Sequence, residues 1–149
     1  MVENINKSEM VSQEIRVPKT VDLIGLKKIV ADDKKPYIEE IIESLKTSDD
    51  ENEKLLGFYN RENIMVGMAY FLEEDNNSIY LSRLITAENY QHHGIASSLV
   101  SHLKSRYDFI RTIPVPLGND FNSDSKTIEL KEFYKKRGFD DGRMWMRRP

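Results

Sequence analysis

The sequence predicts an α+β domain in which a central mixed, mostly antiparallel sheet is flanked by about four helices. Three observations predict it. Runs rich in β-branched and aromatic residues follow one another from residue 55 to 86 with turn clusters between them. Apolar residues recur at helical spacing before, after and beyond that region. No internal period or low-complexity tract interrupts the order of short elements.

The first element is a strand over residues 13–17, Gln13 to Val17, stopped by Pro18. Thr20 is then placed to cap a helix that carries Leu23, Ile24, Leu26 and Val30 on roughly one side, with Gly25 as its weak point. Pro36 suits a first helical position. After it, Ile38, Ile41, Ile42 and Leu45 follow the i, i+3, i+4, i+7 spacing of an amphipathic helix. The polar run KTSDDENEK reads as a surface loop.

Leu55 to Tyr59, Ile64 to Glu73 and Ile79 to Thr86 read as an antiparallel meander, punctuated by the clusters Asn60 to Asn63 and Asp75 to Ser78. Ile95, Leu99 and Leu103 mark the next helical face, and Phe109 to Val115 the next strand. Pro114 and Pro116 lack the N–H that a ladder needs, so pairing is expected to fail partway along that strand and leave a gap. Thr127 to Arg137 reads as the last helix, with Ile128, Leu130, Phe133 and Tyr134 as its less polar positions and Gly138 as its stop. Phe139 and Met144 to Met146 are expected as two short closing strands around the turn Asp140, Asp141, Gly142.

The length of 149 residues suits a single domain spanning 1–149. Its 22 Lys and Arg against 25 Asp and Glu give a net charge of 22 − 25 = −3, which argues against a general nucleic-acid binder. Without cysteine, no disulfide framework, thiolate metal site or cysteine nucleophile is available. The amino-terminal run carries polar and acidic residues rather than the apolar stretch of a signal sequence, and no segment approaches a membrane span, so a cytoplasmic protein with no membrane partner is expected.

Chemistry concentrates between the strand ending near Thr86 and the helix starting near Gly94, in Gln91-His92-His93-Gly94-Ile95-Ala96. Free main-chain N–H groups at a helix start, together with the positive end of its dipole, suit phosphate oxygens, and Gly94 permits close approach to the main chain. The segment fits neither the dinucleotide-binding glycine fingerprint nor the P-loop, which argues against a nucleotide-phosphate enzyme. Adjacent His92 and His93 do not converge easily on one ion and no acidic partner has ligand spacing, so no metal is expected. His102 reads as a surface residue of the helix. Arg143, Arg147 and Arg148 read as a solvated terminal strand, and Trp145 as core or interface.

Taken together, LITAENYQHHGIASSLVSHL and, one strand later, ELKEFYKKRGF resemble the acetyl-CoA-dependent N-acetyltransferases of the GNAT superfamily. The family pattern Q/R-x-x-G-x-G/A matches at Gln91, Gly94 and Ala96. The later Y-x-K-x-G-F signature matches at Tyr134, Lys136, Gly138 and Phe139, and the resemblance covers residues 55–146. It implies the acyl-CoA N-acyltransferase fold and acetyl-CoA as cosubstrate. The pyrophosphate would lie on the main chain of Gln91, His92, His93, Gly94, Ile95 and Ala96, and the pantetheine along Leu84, Ile85 and Thr86.

The resemblance also implies transfer of an acetyl group to a primary amine, small or peptidic, by direct attack in a ternary complex. An alkyl ammonium with a pKa of roughly 10.4 must first lose a proton, at a cost of roughly 4 to 5 kcal/mol at pH 7. Tyr134 would donate its phenolic proton to the departing sulfur, and a main-chain N–H near Leu84 would stabilise the oxyanion. Glu73, Glu74 and Glu88 are carboxylates near strand ends, but none has a spacing that marks it as the base. The sequence departs from the family at Gln91, where arginine is commoner, and at Thr127 and Leu130, where the family often has asparagine and alanine. The cofactor contact from this helix is then either altered or taken over by Asn122 after a loop shift. These departures support a rival reading, a non-catalytic acyl-CoA-binding or interaction protein of the same fold. A homodimer through the final strands would rest on Trp145, Met144 and Met146 alone.

Overall fold

The computed structural model describes residues 14–48 and 50–149. Gln13 and the polar run 1–13, with the readings placed on them, lie outside the described residues, as does Asp49 within the acidic loop. The elements are β1 (Glu14–Arg16), α1 (Thr20–Ile29), α2 (Lys35–Thr47), β2 (Glu53–Tyr59), β3 (Met65–Asp75), β4 (Ser78–Thr86), α3 (Ile95–Arg106), β5 (Phe109–Thr112), α4 (Asp124–Lys135) and β6 (Met144–Met146). Short 3-10 turns, Asp32–Lys34, Glu88–Tyr90 and Gly118–Asp120, precede α2, α3 and α4.

Among the described residues the strands form one six-stranded sheet in sequence order. Every neighbouring pair is antiparallel except β4 and β5, which run parallel because α3 carries the chain back between them. Leu55 to Tyr59 on β2 and Met65 to Ala69 on β3 are all buried, a continuous pattern that requires cover on both faces of the sheet. Helices α1 and α3 both pack on β3. Gly67 makes the approach of α3 possible, since a Cβ there would stand 2.5 Å from Ile95 Cγ2.

The predicted architecture is the observed one, with local corrections. Thr20 is the first residue of α1, and the cap comes from Asp22, whose carboxylate accepts the Lys19 N–H at 2.9 Å. Leu23, Leu26, Ile38, Ile41 and Ile42 are buried, whereas Ile24 and Leu45 face outward. Helix α4 begins three residues before Thr127, because Ser123 accepts the Lys126 N–H and starts the first turn early. Strand β5 stops at Thr112 rather than Val115, as the prolines demand. Phe139 forms no strand: it is a core residue, and only an isolated bridge joins Asp140 to Met144 before β6.

His102 also departs from expectation. Its ring is half-buried, with Nε2 enclosed and unpartnered, and burial followed by the nearby Arg106 charge pushes its pKa down. At the carboxyl end, Arg147 is a clamp rather than a loose charge: it binds Asp108 at 2.7 Å and the carbonyls of Lys104 and Tyr107. None of the described helices is long and apolar enough to cross a membrane.

Candidate active site

The sheet opens where two local features coincide. Strands β4 and β5 pair only from Ser78 and Phe109 to Leu81 and Thr112, so Ser82 to Thr86 continue without a partner on that edge. Beyond Thr112 the chain cannot follow: Pro114 offers no N–H, and the Val115 N–H turns back to the Ile113 carbonyl at 2.8 Å. On its other edge β4 carries a bulge, because the consecutive residues Tyr70 and Phe71 face Arg83 and Leu81 and leave Ser82 as an extra residue. A bulge bends its strand and increases its twist. The bend and the broken partner together splay β4 from β5.

Three adjoining cavities occupy the opening. The largest, about 640 Å³, lies at the start of α3. Leu84, Ile85, Thr86, Gln91, His92, Gly94, Ile95 and Ala96 line it, eight of the nine residues assigned to the cosubstrate from sequence. His93 does not line it; its ring packs beside Tyr90 with centroids 6.2 Å apart. The second cavity, about 320 Å³, shares Leu84, Leu117, Leu130 and Phe133 with the first and contains Tyr134 and Thr112 in its wall. The third, about 240 Å³, lies toward α2 and shares Ser82, Arg83, Val115 and Pro116 with the second.

The largest cavity presents donors and positive charge. His92 and Gly94 take left-handed conformations, with φ of 66° and 80°, and turn the chain into α3. The first intrahelical bond runs from the Ser98 N–H to the Gly94 carbonyl at 2.9 Å, so the N–H groups of Ile95, Ala96 and Ser97 have no helical acceptor. A Cβ on Gly94 would meet nothing within 4 Å, so the turn borders open space. Lys34 and Arg137 also line the cavity, and no carboxylate does. Arg137 stacks 3.7 Å from the Phe133 centroid, donates to the Phe133 carbonyl at 2.7 Å and reaches Ser97 Oγ at 3.2 Å. Arg137 thus places a positive charge in the wall of the cavity that Gln91 also lines. Neither Arg137 nor Lys34 was singled out from sequence, since both come from segments distant from the glycine turn.

Tyr134 is 3% exposed. Its ring sits between Phe133 and Phe139, each with centroids 5.1 Å away. Gly138, at φ 91°, lets the chain fold back so that the Phe139 N–H reaches the Tyr134 carbonyl at 3.1 Å. The Gly-Phe pair thus fixes the tyrosine. Burial pushes the Tyr134 hydroxyl up to about 12, against the opposing pull of the Thr112 hydroxyl and the Arg137 charge.

Several remaining residues are committed elsewhere. The Thr127 hydroxyl donates to the Ser123 carbonyl at 2.9 Å, and Asn122 is exposed outside all three cavities, whereas Leu130 forms a wall of two of them. Glu73 is held by Tyr107 and Glu74 by a two-pronged bond from Arg111. Neither lines any of the three cavities, and Glu88 is exposed. The middle cavity instead holds Glu129, paired with Lys126 at 3.3 Å, and Asp120, whose carboxylate has no partner among the described residues. Asp120 was not read from sequence because it follows a loop with no spacing signal. Among the described residues no three His, Asp or Glu side chains gather as a metal site.

The acetyltransferase (GNAT) domain family matches this sequence over residues 26–143. The chain belongs to the GNAT acetyltransferase family. A search of curated proteins finds no match. Solved structures of other GNAT proteins share the fold. The PaiA N-acetyltransferase of Thermoplasma acidophilum, solved with coenzyme A, is 21% identical, with 87% of this chain and 90% of that one covered and a TM-score of 0.59. A GNAT N-acetyltransferase of Escherichia coli, also solved with CoA, is 18% identical over 86% and 68% of the two chains, with a TM-score of 0.60. A mutant of the spermidine N-acetyltransferase SpeG of Vibrio cholerae is 15% identical over 87% and 80%, again with a TM-score of 0.60. At these identities the likeness is one of fold.

Proposed function

We propose that this GNAT protein is an N-acetyltransferase that binds acetyl-CoA in the splayed site and transfers the acetyl group directly to a primary amine. One observation carries the reading. A donor-lined cavity with the Arg137 guanidinium and no carboxylate in its wall opens into the cavity that holds Tyr134 and then into a third on the α2 side. A polyanionic thioester fits the first two in sequence, and an acceptor fits the third.

Main-chain N–H groups of Ile95, Ala96 and Ser97, with Arg137 beside them, bind the pyrophosphate. The unpaired edge of Ser82 to Thr86 offers alternate main-chain groups to the pantetheine amides, as a missing strand would. Asp120, in the middle cavity, accepts the proton of the ammonium directly or through water. The neutral nitrogen then attacks the thioester carbonyl carbon. A C–N bond forms, the C–S bond breaks, the electron pair leaves on sulfur, and the second nitrogen proton passes to solvent.

Tyr134 meets the departing sulfur. With its pKa near 12 it is protonated at neutral pH and donates a hydrogen bond to a thiolate, whose own pKa of ~8.5 in water rises in the same buried setting. A main-chain donor on the open edge of β4 faces the developing oxyanion.

Thermal unfolding with acetyl-CoA, CoA or ATP tests the cosubstrate site, since a ligand at a hundred times its Kd adds about 2.7 kcal/mol to the folded state. A rise of several degrees with acetyl-CoA and CoA but not ATP is expected. No rise at millimolar acetyl-CoA would remove the reading. A rise without CoA release in the presence of any amine would leave a binding protein of the same fold.

A further inference from the structure

We propose that Arg83 selects the acceptor, and that the acceptor is a small α-amino acid with an apolar or aromatic side chain, held by its carboxylate. The inference rests on the transfer reading above. It comes from the third cavity, which nothing in the GNAT motifs describes.

Arg83 is the only charged residue in that cavity's wall. It is half-buried and has no carboxylate partner among the described residues. Its guanidinium carbon lies 5.0 Å from the Tyr37 ring centroid, and one nitrogen reaches the Ser82 carbonyl at 3.3 Å. Most of its donor fork is therefore free. The neighbouring cations differ: Lys34 is held by Asp33 and the Leu117 carbonyl, Lys126 by Glu129, and Arg111 by Glu74. A planar fork in a partly dehydrated setting is completed best by a carboxylate, which accepts two parallel bonds.

The rest of the wall tells what else the acceptor carries. Tyr37, Tyr80 and Phe121 supply aromatic surface, and Ile113, Val115 and Phe121 remain 53%, 39% and 57% exposed at its edge. That surface suits an apolar side chain; the Tyr37 and Tyr80 rings already face Arg83 and Arg111, and the wall holds no carboxylate to pair with a second ammonium. A polyamine would place an extra positive charge against Arg83 with no carboxylate in the cavity to receive it.

The position of Arg83 sets the distance between carboxylate and amine. Arg83 lines both the third cavity and the one that contains Tyr134 and Asp120. A carboxylate on Arg83 therefore leaves an amine on the adjacent carbon at the junction of the two, where Asp120 takes its proton and the nitrogen attacks the acetyl carbon. The amino terminus of a peptide carries an amide in place of that carboxylate and forgoes the contact.

The test is CoA release from acetyl-CoA with phenylalanine, phenylalaninamide, phenethylamine and spermidine, alongside the CoA-dependent unfolding midpoint. Phenylalanine is expected to exceed the other three in kcat/KM by about tenfold or more. Arg83→Gln is expected to raise KM for phenylalanine and narrow its advantage over the amide to less than about threefold, with the CoA-induced midpoint shift retained. Arg83→Lys, which keeps the charge but not the fork, should fall between them. Equal use of acid and amide, preference for spermidine, or no turnover of any of the four by a protein that binds CoA overturns the inference alone. A protein that shows no CoA-induced shift loses the transfer reading and this one with it.

Discussion

The hydroxyl of Tyr37 accepts the main-chain N–H of Gly118 at 2.9 Å, which ties α2 to the loop that follows β5. Beside it, Asp33 accepts the Asn119 N–H at 2.8 Å, and this bond first, then Lys34, holds the Asp33 pKa down. The broken strand is thus kept in place by the helical layer, and the site's outer wall depends on two turns far apart in sequence. Gly118 is the tightest point, with φ at 67° and a Cβ position 2.3 Å from Asp33 Oδ2.

Tyr37→Phe removes one acceptor and should lower stability by about 1 kcal/mol. Gly118→Ala adds left-handed strain of about 1 to 2 kcal/mol and displaces Asp33 as well, so its loss should be the larger. Urea unfolding of both variants checks the order. Equal midpoints for Gly118→Ala and the parent protein would show that the loop is not anchored as described.

Gly94→Ala separates backbone strain from ligand contact. The added Cβ meets no protein atom within 4 Å, so the fold should lose only about 1 kcal/mol from the positive φ. The same atom would project into the open space beside the start of α3, where phosphate oxygens are proposed to sit. KM for acetyl-CoA should rise at least about tenfold while KM for the amine changes little. A variant with an unaltered KM for acetyl-CoA would move the pyrophosphate away from this turn.

Those two glycines mark the divide between what was legible in the sequence and what was not. Gly94 sits in a motif with a local physical meaning, a helix start that offers donors, and so could be read directly. Pro114 was legible for the same reason, because the missing N–H ends a ladder wherever it falls. Gly118, Arg83, Asp120 and Arg137 act through partners brought in from other elements, and no spacing announces them. The bulge at Ser82 was equally hidden, since a one-residue shift is defined only against the facing strand. The misplaced start of α4 has a plainer cause: Ser123 caps a first turn made of polar residues, which the apolar period does not register.

Asp22 joins the cap of α1 to the core of the sheet. Its carboxylate accepts the Lys19 N–H at 2.9 Å and the Tyr59 hydroxyl at 2.7 Å. Burial opposes ionisation, but these two bonds, with Arg16 and Lys19 nearby, leave its pKa below the ordinary 3.8. The contribution is therefore fully present above about pH 4 and is lost as pH falls through the still lower folded value. Asp22→Asn should cost roughly 1 to 3 kcal/mol at pH 7, and the difference from the parent should shrink below pH 3. A constant difference from pH 7 to pH 2.5 in denaturant titrations would mean that charge on Asp22 is not what holds the cap.

Tyr134→Phe tests the hydroxyl without opening a cavity, because the ring between Phe133 and Phe139 keeps its packing. With the pKa of Tyr134 near 12, the group stays protonated across the range in which the acceptor amine loses its proton. The rate of the parent protein should rise with pH up to the amine's own pKa and should not fall again below about pH 10 on account of Tyr134. The variant should keep the CoA-induced rise in unfolding midpoint and the same acidic limb, while kcat drops about a hundredfold or more. A parent profile that descends near pH 8 to 9, with the descent abolished in Tyr134→Phe, would place the hydroxyl's titration far below 12 and contradict its enclosure. An unchanged kcat would move the hydrogen bond to sulfur onto another donor of the same cavity, such as a main-chain group on β4's open edge.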